Sequence, residues 1–366
     1  MTRPIPSAAF AASVPATRTA VIDGLPAAID TVAEAAAPTH RFLRAAWFAA
    51  AVEAYGGTAR TILAHEDDMP VAALPLVAVG PHLLGLMTVP GSYWPFRSMP
   101  LSLAASEAVA PALLDRAAGI ARGVRIGPVY DDDPAATQLI AAARTRGWAV
   151  LDRFVARSWL LDMAAQRREG VWPRLSTLRK NRFHEKHLAA HGTLDWRFLD
   201  GADWPAGFAH LGTIEDHSWI ASRTDGSDAK FTERGHLAFW RAAARDPVLA
   251  AMFHAALLTV DGAPAAFSFD LDAGPVKYAI ANSYVPTFAK HSPGKLLYWR
   301  NLSDALDRGI ETVDWGAGDS GYKQVIGADR GPAIRDWLLL RPGVPATLGR
   351  MLAGVWRRSG QAADEV

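Results

Sequence analysis

The run His291-Ser292-Pro293-Gly294-Lys295 closes a loop and opens a stretch of helical apolar spacing: Leu296, Leu297, Trp299, Leu302, Ala305 and Leu306. Ser292 suits the cap of such a helix and Pro293 its first turn, where a missing N–H is no loss. Gly294 would let a ligand approach the backbone closely. A glycine-bearing loop feeding a helix start builds an anion site from backbone amides, although an ordinary capped helix would explain Ser292 and Pro293 without any ligand. We place Ser292, Gly294, Lys295 and Asn282 in that site. Downstream, a strand runs out into Asp314-Trp315-Gly316-Ala317-Gly318-Asp319-Ser320-Gly321-Tyr322-Lys323. Glycines this dense beside carboxylate, phenol and ammonium groups are costly for a plain connection. They set acid/base chemistry next to the anion site. Together the segments suggest an acyl group carried on a phosphate-rich cofactor and delivered to a nucleophile.

Other clusters carry charge or a titratable ring. In residues 174–191 the spacing puts Arg179, Arg182 and Lys186 on one helix face, with Leu175, Leu178 and Leu188 available to pack. Phosphates, an anionic acceptor or a membrane surface would suit this face, and so would plain solvent. Glu215-Asp216-His217-Ser218-Trp219 is helical in pattern, with Glu215 and Trp219 stacked on one side as acceptor contacts. His217 could take the proton of an amine nucleophile. Gly91-Ser92-Tyr93-Trp94-Pro95-Phe96-Arg97 is aromatic and would wall an apolar acceptor pocket or pack the core. The histidines show no two-His-plus-carboxylate spacing, so no metal site is expected.

Positioning these groups takes 366 residues, comfortable for two domains. Half are hydrophobic and 20% are charged, and the net charge of +1 provides no global field to recruit nucleic acid. With no cysteine, a disulfide scaffold, a thiolate metal site and a cysteine nucleophile are excluded. The apolar run 8–14 is short and is followed by Pro15 and Arg18, a weak match to a signal peptide. No segment approaches the ~20 apolar residues of a membrane span. A cytoplasmic protein with residues 1–20 as a mobile tail is the expectation.

The two halves read alike. The first offers a helix over 38–55, strands over 58–65, 70–79 and 83–89, a helix over 106–122, a strand over 124–129, a helix over 134–146 and a strand over 148–161. The second offers helices over 204–222 and 232–245, and strands over 248–260 and 263–271 joined by the hairpin signal Asp261-Gly262. A strand over 276–284, a helix over 295–308 and strands over 310–315 and 334–340 complete it. The order implies a mixed sheet with helices on its faces, an α/β (α+β) layer arrangement built on a duplicated unit. The polar link 162–171 is the expected boundary.

Residues 175–192, 215–219, 260–262 with the following strand, 292–297 and 314–323 resemble the GNAT superfamily. They are most similar to the acetyltransferase-like branch associated with cellulose and exopolysaccharide biosynthesis, itself similar to the tandem-domain Fem-type aminoacyltransferases. The resemblance implies tandem GNAT-like domains, each a mixed, mostly antiparallel sheet flanked by helices. A degenerate domain would span 21–165 and a catalytic domain 166–345, with a C-terminal helix and tail over 346–366. It implies that pantetheine lies between splayed strands at 276–284 and 310–315, and that the pyrophosphate meets the amides around Gly294. The phosphate loop is shorter here than the usual glycine-rich pattern. On this basis we expect an acyl-CoA-dependent N-acyltransferase. In it Asp319 or His217 takes the amine proton, Tyr322 protonates the leaving thiolate, and Lys323 holds an anionic group. Arg179, Arg182, Glu215, Trp219 and Asp314 would contact the acceptor, an amino sugar or a long-chain lipid amine. Contact with the inner face of the membrane is compatible with a lipid acceptor. Nucleic acid is disfavoured, though transfer from aminoacyl-tRNA is the alternative, as is a non-catalytic role in polysaccharide or envelope assembly.

Overall fold

The structure is a computed structural model describing residues 16–91, 96–170, 175–218, 226–318 and 322–359. The first half contains β1 (Thr17–Asp23), α1 (Ala28–Glu34), α2 (Ala45–Tyr55), β2 (Arg60–Glu66), β3 (Met69–Ala78), β4 (Leu86–Thr88), α3 (Val109–Ala118), β5 (Gly123–Tyr130), α4 (Pro134–Thr145) and β6 (Ala149–Asp162). The second begins with α5 (Met163–Arg168), α6 (Leu175–Leu188), β7 (Leu194–Asp200), α7 (Gly207–Asp216), α8 (Leu237–Ala243), α9 (Pro247–Met252) and β8 (Phe253–Val260). It continues through β9 (Ala263–Ala273), β10 (Val276–Tyr284), α10 (Pro293–Asp307), β11 (Thr312–Asp314), α11 (Tyr322–Val325), β12 (Asp329–Leu340) and α12 (Val344–Arg358).

One mixed sheet runs through both halves in the order β1-β2-β3-β4-β5-β12-β6-β11-β10-β9-β8-β7. From either edge the sequence of pairings is the same. An antiparallel meander leads to a single parallel pair, β4 with β5 or β10 with β11, and then to the centre. There β6 and β12 lie antiparallel from Leu160↔Asp329 to Ala149↔Leu340. Each also pairs into the other half, β12 with β5 and β6 with β11. The halves have exchanged strands.

Local chemistry sets the turns and ends. Asp261 and Gly262 have φ of 48° and 78°, the two positive values that a tight hairpin matching strand twist requires. Asp67 and Asp68 do the same between β2 and β3, at φ of 47° and 67°. The expected strand over 248–260 begins instead with a helix, α9. Pro247 occupies its first turn, and the Asp246 carboxylate accepts the Leu249 N–H at 2.9 Å. Two edge strands escape the sequence pattern, because neither is buried enough for clean alternation: β7, and β1, which starts at Thr17 inside the stretch expected to be tail. No helix among the described residues is long and apolar enough to cross a membrane.

The core is continuous across the halves. Trp47 on α2 meets Phe239 and Trp240 on α8 edge-on, with centroids 4.9 and 6.1 Å away. Phe96 lies 4.9 Å from Tyr278 on β10 and 5.0 Å from Phe42. Edge-to-face pairs of this kind add to simple area burial.

At the centre of the sheet the fully buried Asp336 on β12 binds arginines from both neighbouring strands. Arg125 of β5 donates from Nε at 2.8 Å and from Nη2 at 2.6 Å, and Arg153 of β6 closes on the other side. Removing the carboxylate strands two arginines that are largely out of water. Asp336→Ala should therefore cost about 3–5 kcal/mol of unfolding free energy in urea titrations. Arg18→Ala, at the exposed pair with Asp68, should cost about 1 kcal/mol or less.

Candidate active site

β10 and β11 run parallel for only three positions, Val276↔Thr312, Lys277↔Val313 and Tyr278↔Asp314. Beyond Tyr278, β10 keeps its pairing with β9 as far as Tyr284, while Trp315 turns its N–H to the Trp159 carbonyl at 2.8 Å. The strands part, and a notch opens just past Asp314. On the β10 side Asn282 Nδ2 and Ser283 Oγ are buried with no hydrogen-bond partner among the described residues.

Helix α10 starts beside that notch. Ser292 occupies its cap position in the left-handed region, at φ 50°, and makes no side-chain capping bond, contrary to the expected cap. Pro293 takes the first turn as expected. Gly294 is buried, and a Cβ there would stand 3.0 Å from Asn282 Oδ1 and 3.6 Å from Tyr284. Its bare backbone thus serves the close approach of helix to strand, where the sequence had pointed to a ligand. Lys295 is exposed at the helix start. Around the preceding turn, His291 Nε2 lies 2.9 Å from His191 Nε2. The His291 pKa is lowered by desolvation and then by His191, His187, His184 and Lys290. Helix α6 packs against this turn and against α10, where Arg300 reaches Glu185 at 2.6 Å. Arg179 and Arg182 are exposed on α6. The helix start therefore carries a cationic rim.

Asp314 is the most perturbed carboxylate at the notch. Burial raises its pKa to about 6, and the nearby Asp132 charge adds to the shift. Hydrogen bonds from the Tyr130 hydroxyl and from the Gly316 N–H, the latter at 2.8 Å, and the charge of Lys323 hold it from rising further. Tyr278, its neighbour across the parallel pair, is pushed far above the ordinary phenol range by burial and then by Asp314 and Asp133. Tyr130 ends β5 and Asp132 lies in the β5–α4 turn of the first half. The next residue in that turn, Asp133, caps α4 through the Ala136 N–H at 2.7 Å. It also accepts from Ser98 at 2.8 Å and faces His40 at 3.2 Å. The mouth of the notch is acidic and built by both halves.

The other candidates fall differently. Lys323, expected to hold an anionic group, donates instead to the carbonyls of Trp315, Gly316 and Ala317 at 2.8, 3.2 and 2.9 Å. Those three bonds match its three protons, and they pin the glycine loop over Asp314. Glu215, expected at the acceptor, is buried and accepts the N–H groups of Lys230 and Phe231 at 3.0 and 2.6 Å. Burial raises its pKa, and those amides work against the rise. His217, expected as a base, is exposed at the end of α7, with Nδ1 2.8 Å from the Thr213 carbonyl of its own helix. No hydrogen bond or ion pair among the described residues joins Glu215 or His217 to Asp314. Phe96 packs in the core, whereas Arg97 is half-buried with its Nε lacking an acceptor among the described residues. Asp319, Trp219 and residues 92–95 lie outside the described residues, as does the Tyr322 side chain. The sequence reading missed Tyr130 and Asp132, although three consecutive aspartates between a strand and Pro134 were a signal for a carboxylate cluster.

Residues 176–324 match the family model of the acetyltransferase (GNAT) domain. The second half is a GNAT domain. The whole chain is similar in fold to FemX, at 12% identity and a TM-score of 0.60, covering 88% of this chain and 97% of that one. It is also similar to a conserved protein of unknown function from Bacteroides thetaiotaomicron VPI-5482, at 11% and 0.56, covering 88% and 100%. A third is the C-terminal domain assigned to a lysylphosphatidylglycerol synthetase from Agrobacterium fabrum, at 12% and 0.53, covering 91% and 96%. No protein of curated function matches the sequence. Residues 176–324 thus form a GNAT, acetyltransferase-like domain within a mostly antiparallel sheet flanked by helices. The GNAT match spans the β10–β11 notch, the start of α10 and Asp314. An open cleft of about 720 Å³ lies elsewhere, beside α6 and lined by Glu185, Lys186, Gly192, Trp196 and Asp261. Shallow and without a buried titratable group, it is not where we place the chemistry.

Because the Lys323 charge stabilises ionised Asp314, Lys323→Met should raise the Asp314 pKa above about 6. A carboxylate resonance titrating higher in NMR would report this; an unchanged midpoint would break the proposed coupling.

Proposed function

We propose that this protein is an acyl-CoA-dependent N-acyltransferase whose general base is Asp314. The observation that carries the reading is a buried carboxylate, with its pKa pushed up to about 6, at the mouth of the parallel-strand notch of a GNAT domain. The donor's pantetheine arm would lie along 279–284, within reach of the unpartnered Asn282 amide. Its phosphates would meet the start of α10, where Ser292, Gly294 and Lys295 are flanked by Lys290 and His291. In the first half the comparable approach to α3 is filled from within. Glu66 accepts from the N–H of Ser106 at 3.1 Å, from its hydroxyl, and from Thr17 at 3.0 Å. Burial works to raise the Glu66 pKa, but these bonds outweigh it and hold the carboxylate below its ordinary value. An anionic phosphate would be repelled there, which supports a division into a non-binding half over 21–165 and a catalytic half over 166–345.

The acceptor arrives as an ammonium attracted by Asp314 and Asp132. Asp314 removes one proton, and the amine nitrogen attacks the thioester carbonyl carbon. The tetrahedral intermediate then collapses with cleavage of the C–S bond, the nitrogen's remaining excess proton passes to solvent, and Tyr322 is our candidate to protonate the departing thiolate. Holding the two reactants together can supply on the order of 7 kcal/mol or more of the acceleration. A lipid amine or an amino sugar would suit such a site. Transfer from aminoacyl-tRNA is the second reading, favoured by the cationic rim of α6 and the α10 start together with the FemX-like fold.

Two measurements separate these readings. CoA, acetyl-CoA and long-chain acyl-CoA at a hundred times their dissociation constants should each add roughly 2.7 kcal/mol to stability; no shift of the melting midpoint with any thioester would overturn the donor assignment. Thiol release against pH should rise to half its maximum near about 6, and Asp314→Asn should abolish it at every pH. Because folding raises the Asp314 pKa from 3.8 to about 6, its proton adds stability below pH 4 that is lost as pH climbs through 6. At pH 8 Asp314→Asn should therefore stabilise the fold by up to about 3 kcal/mol, and a less stable variant at that pH would contradict the assigned shift.

A further inference from the structure

Helix α12 has two apolar faces. The inner one, with Ala346, Gly349, Ala353 and Trp356, lies on β6 and β12. A Cβ at Gly349 would come within 2.1 Å of Leu340, so glycine lets the helix lie close against the sheet. The outer face has no partner among the described residues. Val344, Leu348, Met351, Leu352 and Val355 are 72, 53, 76, 59 and 58% exposed, and at helical spacing they fill one stripe about 100° wide. Soluble surfaces scatter such residues singly; a contiguous patch marks an interaction site.

A second exposed apolar element lies at the same end of the sheet. Arg341, just before α12, donates its N–H to the Arg122 carbonyl, and the Arg122 N–H reaches the Gly85 carbonyl at 2.8 Å. This ladder brings in the turn at residues 82–84, where Leu83 and Leu84 are 85 and 51% exposed. The Arg122 guanidinium bonds the Leu83 carbonyl itself at 3.0 Å.

Arginines border this apolar surface. Arg122, Arg341, Arg350 and Arg358 have no carboxylate within ion-pair distance among the described residues, and Arg357 reaches Asp152 only at 3.6 Å. No acidic residue occurs between Val344 and Arg358; the next acids, Asp364 and Glu365, lie outside the described residues.

We propose that α12 and the 82–84 turn form a docking face for an anionic lipid bilayer, with the stripe sunk among the headgroups and the arginines paired to lipid phosphates. An apolar stripe bordered by cations, on a helix too short to span, is the pattern of a segment lying in the membrane interface. A second copy of the chain fits poorly, because two-fold packing of α12 on α12 would bring like-charged arginine sets together. The inference stands independently of the acyl-transfer reading.

Sedimentation of the full chain with vesicles tests it. Phosphatidylcholine containing one third phosphatidylglycerol should bind at least tenfold more strongly than phosphatidylcholine alone, and half-molar salt should weaken that binding. Leu348→Glu with Met351→Glu should reduce it at least tenfold with an unchanged melting midpoint, since both side chains point outward. Arg350→Gln with Arg358→Gln should remove the preference for anionic vesicles. Failure of the wild-type chain to bind either vesicle, or equal binding by the glutamate variant, would overturn the proposal. So would a dimer in light scattering that the glutamate pair dissolves, which would make this face a contact between copies.

Discussion

The antiparallel ladder of β6 with β12 is the constraint on which the rest of the structure depends. It closes the sheet by crossing the halves, and Asp336 fixes its register by binding arginines on either side. Only because β12 runs beside β5 while β6 runs beside β11 does the first half's Tyr130 turn face Asp314. The GNAT match begins at residue 176, but the environment of its buried carboxylate is partly made by residues before 135.

That environment is balanced between opposing effects. Burial and Asp132 favour a protonated Asp314, whereas Tyr130, the Gly316 amide and Lys323 favour the ion. The outcome lies within the range where a carboxyl can exchange a proton at neutral pH. Lys323 is central because one side chain both moderates the charge and fastens the glycine loop. A buried lysine spends its three protons on carbonyls and leaves none for substrate. Glu215 makes the same point in reverse, since its two oxygens are taken up by main-chain amides.

Much of the fold could be read from the sequence. The Asp261-Gly262 hairpin, the α10 stripe and the repeated order of elements each rest on local patterns of turn chemistry or periodicity. The exchange of β6 and β12 could not be read, since both are ordinary strands and nothing local encodes which neighbour they choose. β1 and β7 were missed because edge strands bury too little to alternate. At the site, Asp314 and Lys323 were singled out by their setting among glycines, though nothing local showed that Lys323 would donate to three main-chain carbonyls. A side chain's occupation depends on partners far off in sequence: Tyr130 for Asp314, and residues 230–231 for Glu215.

The exchanged strands also bear on ancestry. Two copies of one unit that had each lent a terminal strand to the other would form a closed, two-fold pair with its swapped strands at the axis. Joining the tail of one copy to the head of the next gives this palindromic sheet. Once fused, such copies would no longer be bound to be identical. One could fill its anion cradle with a glutamate and turn its strand-end acids toward its sibling, while the other kept the open notch. Neither can now be excised as a self-sufficient module, since the cut would leave β11 with a bare edge and β12 with no strand to lie against.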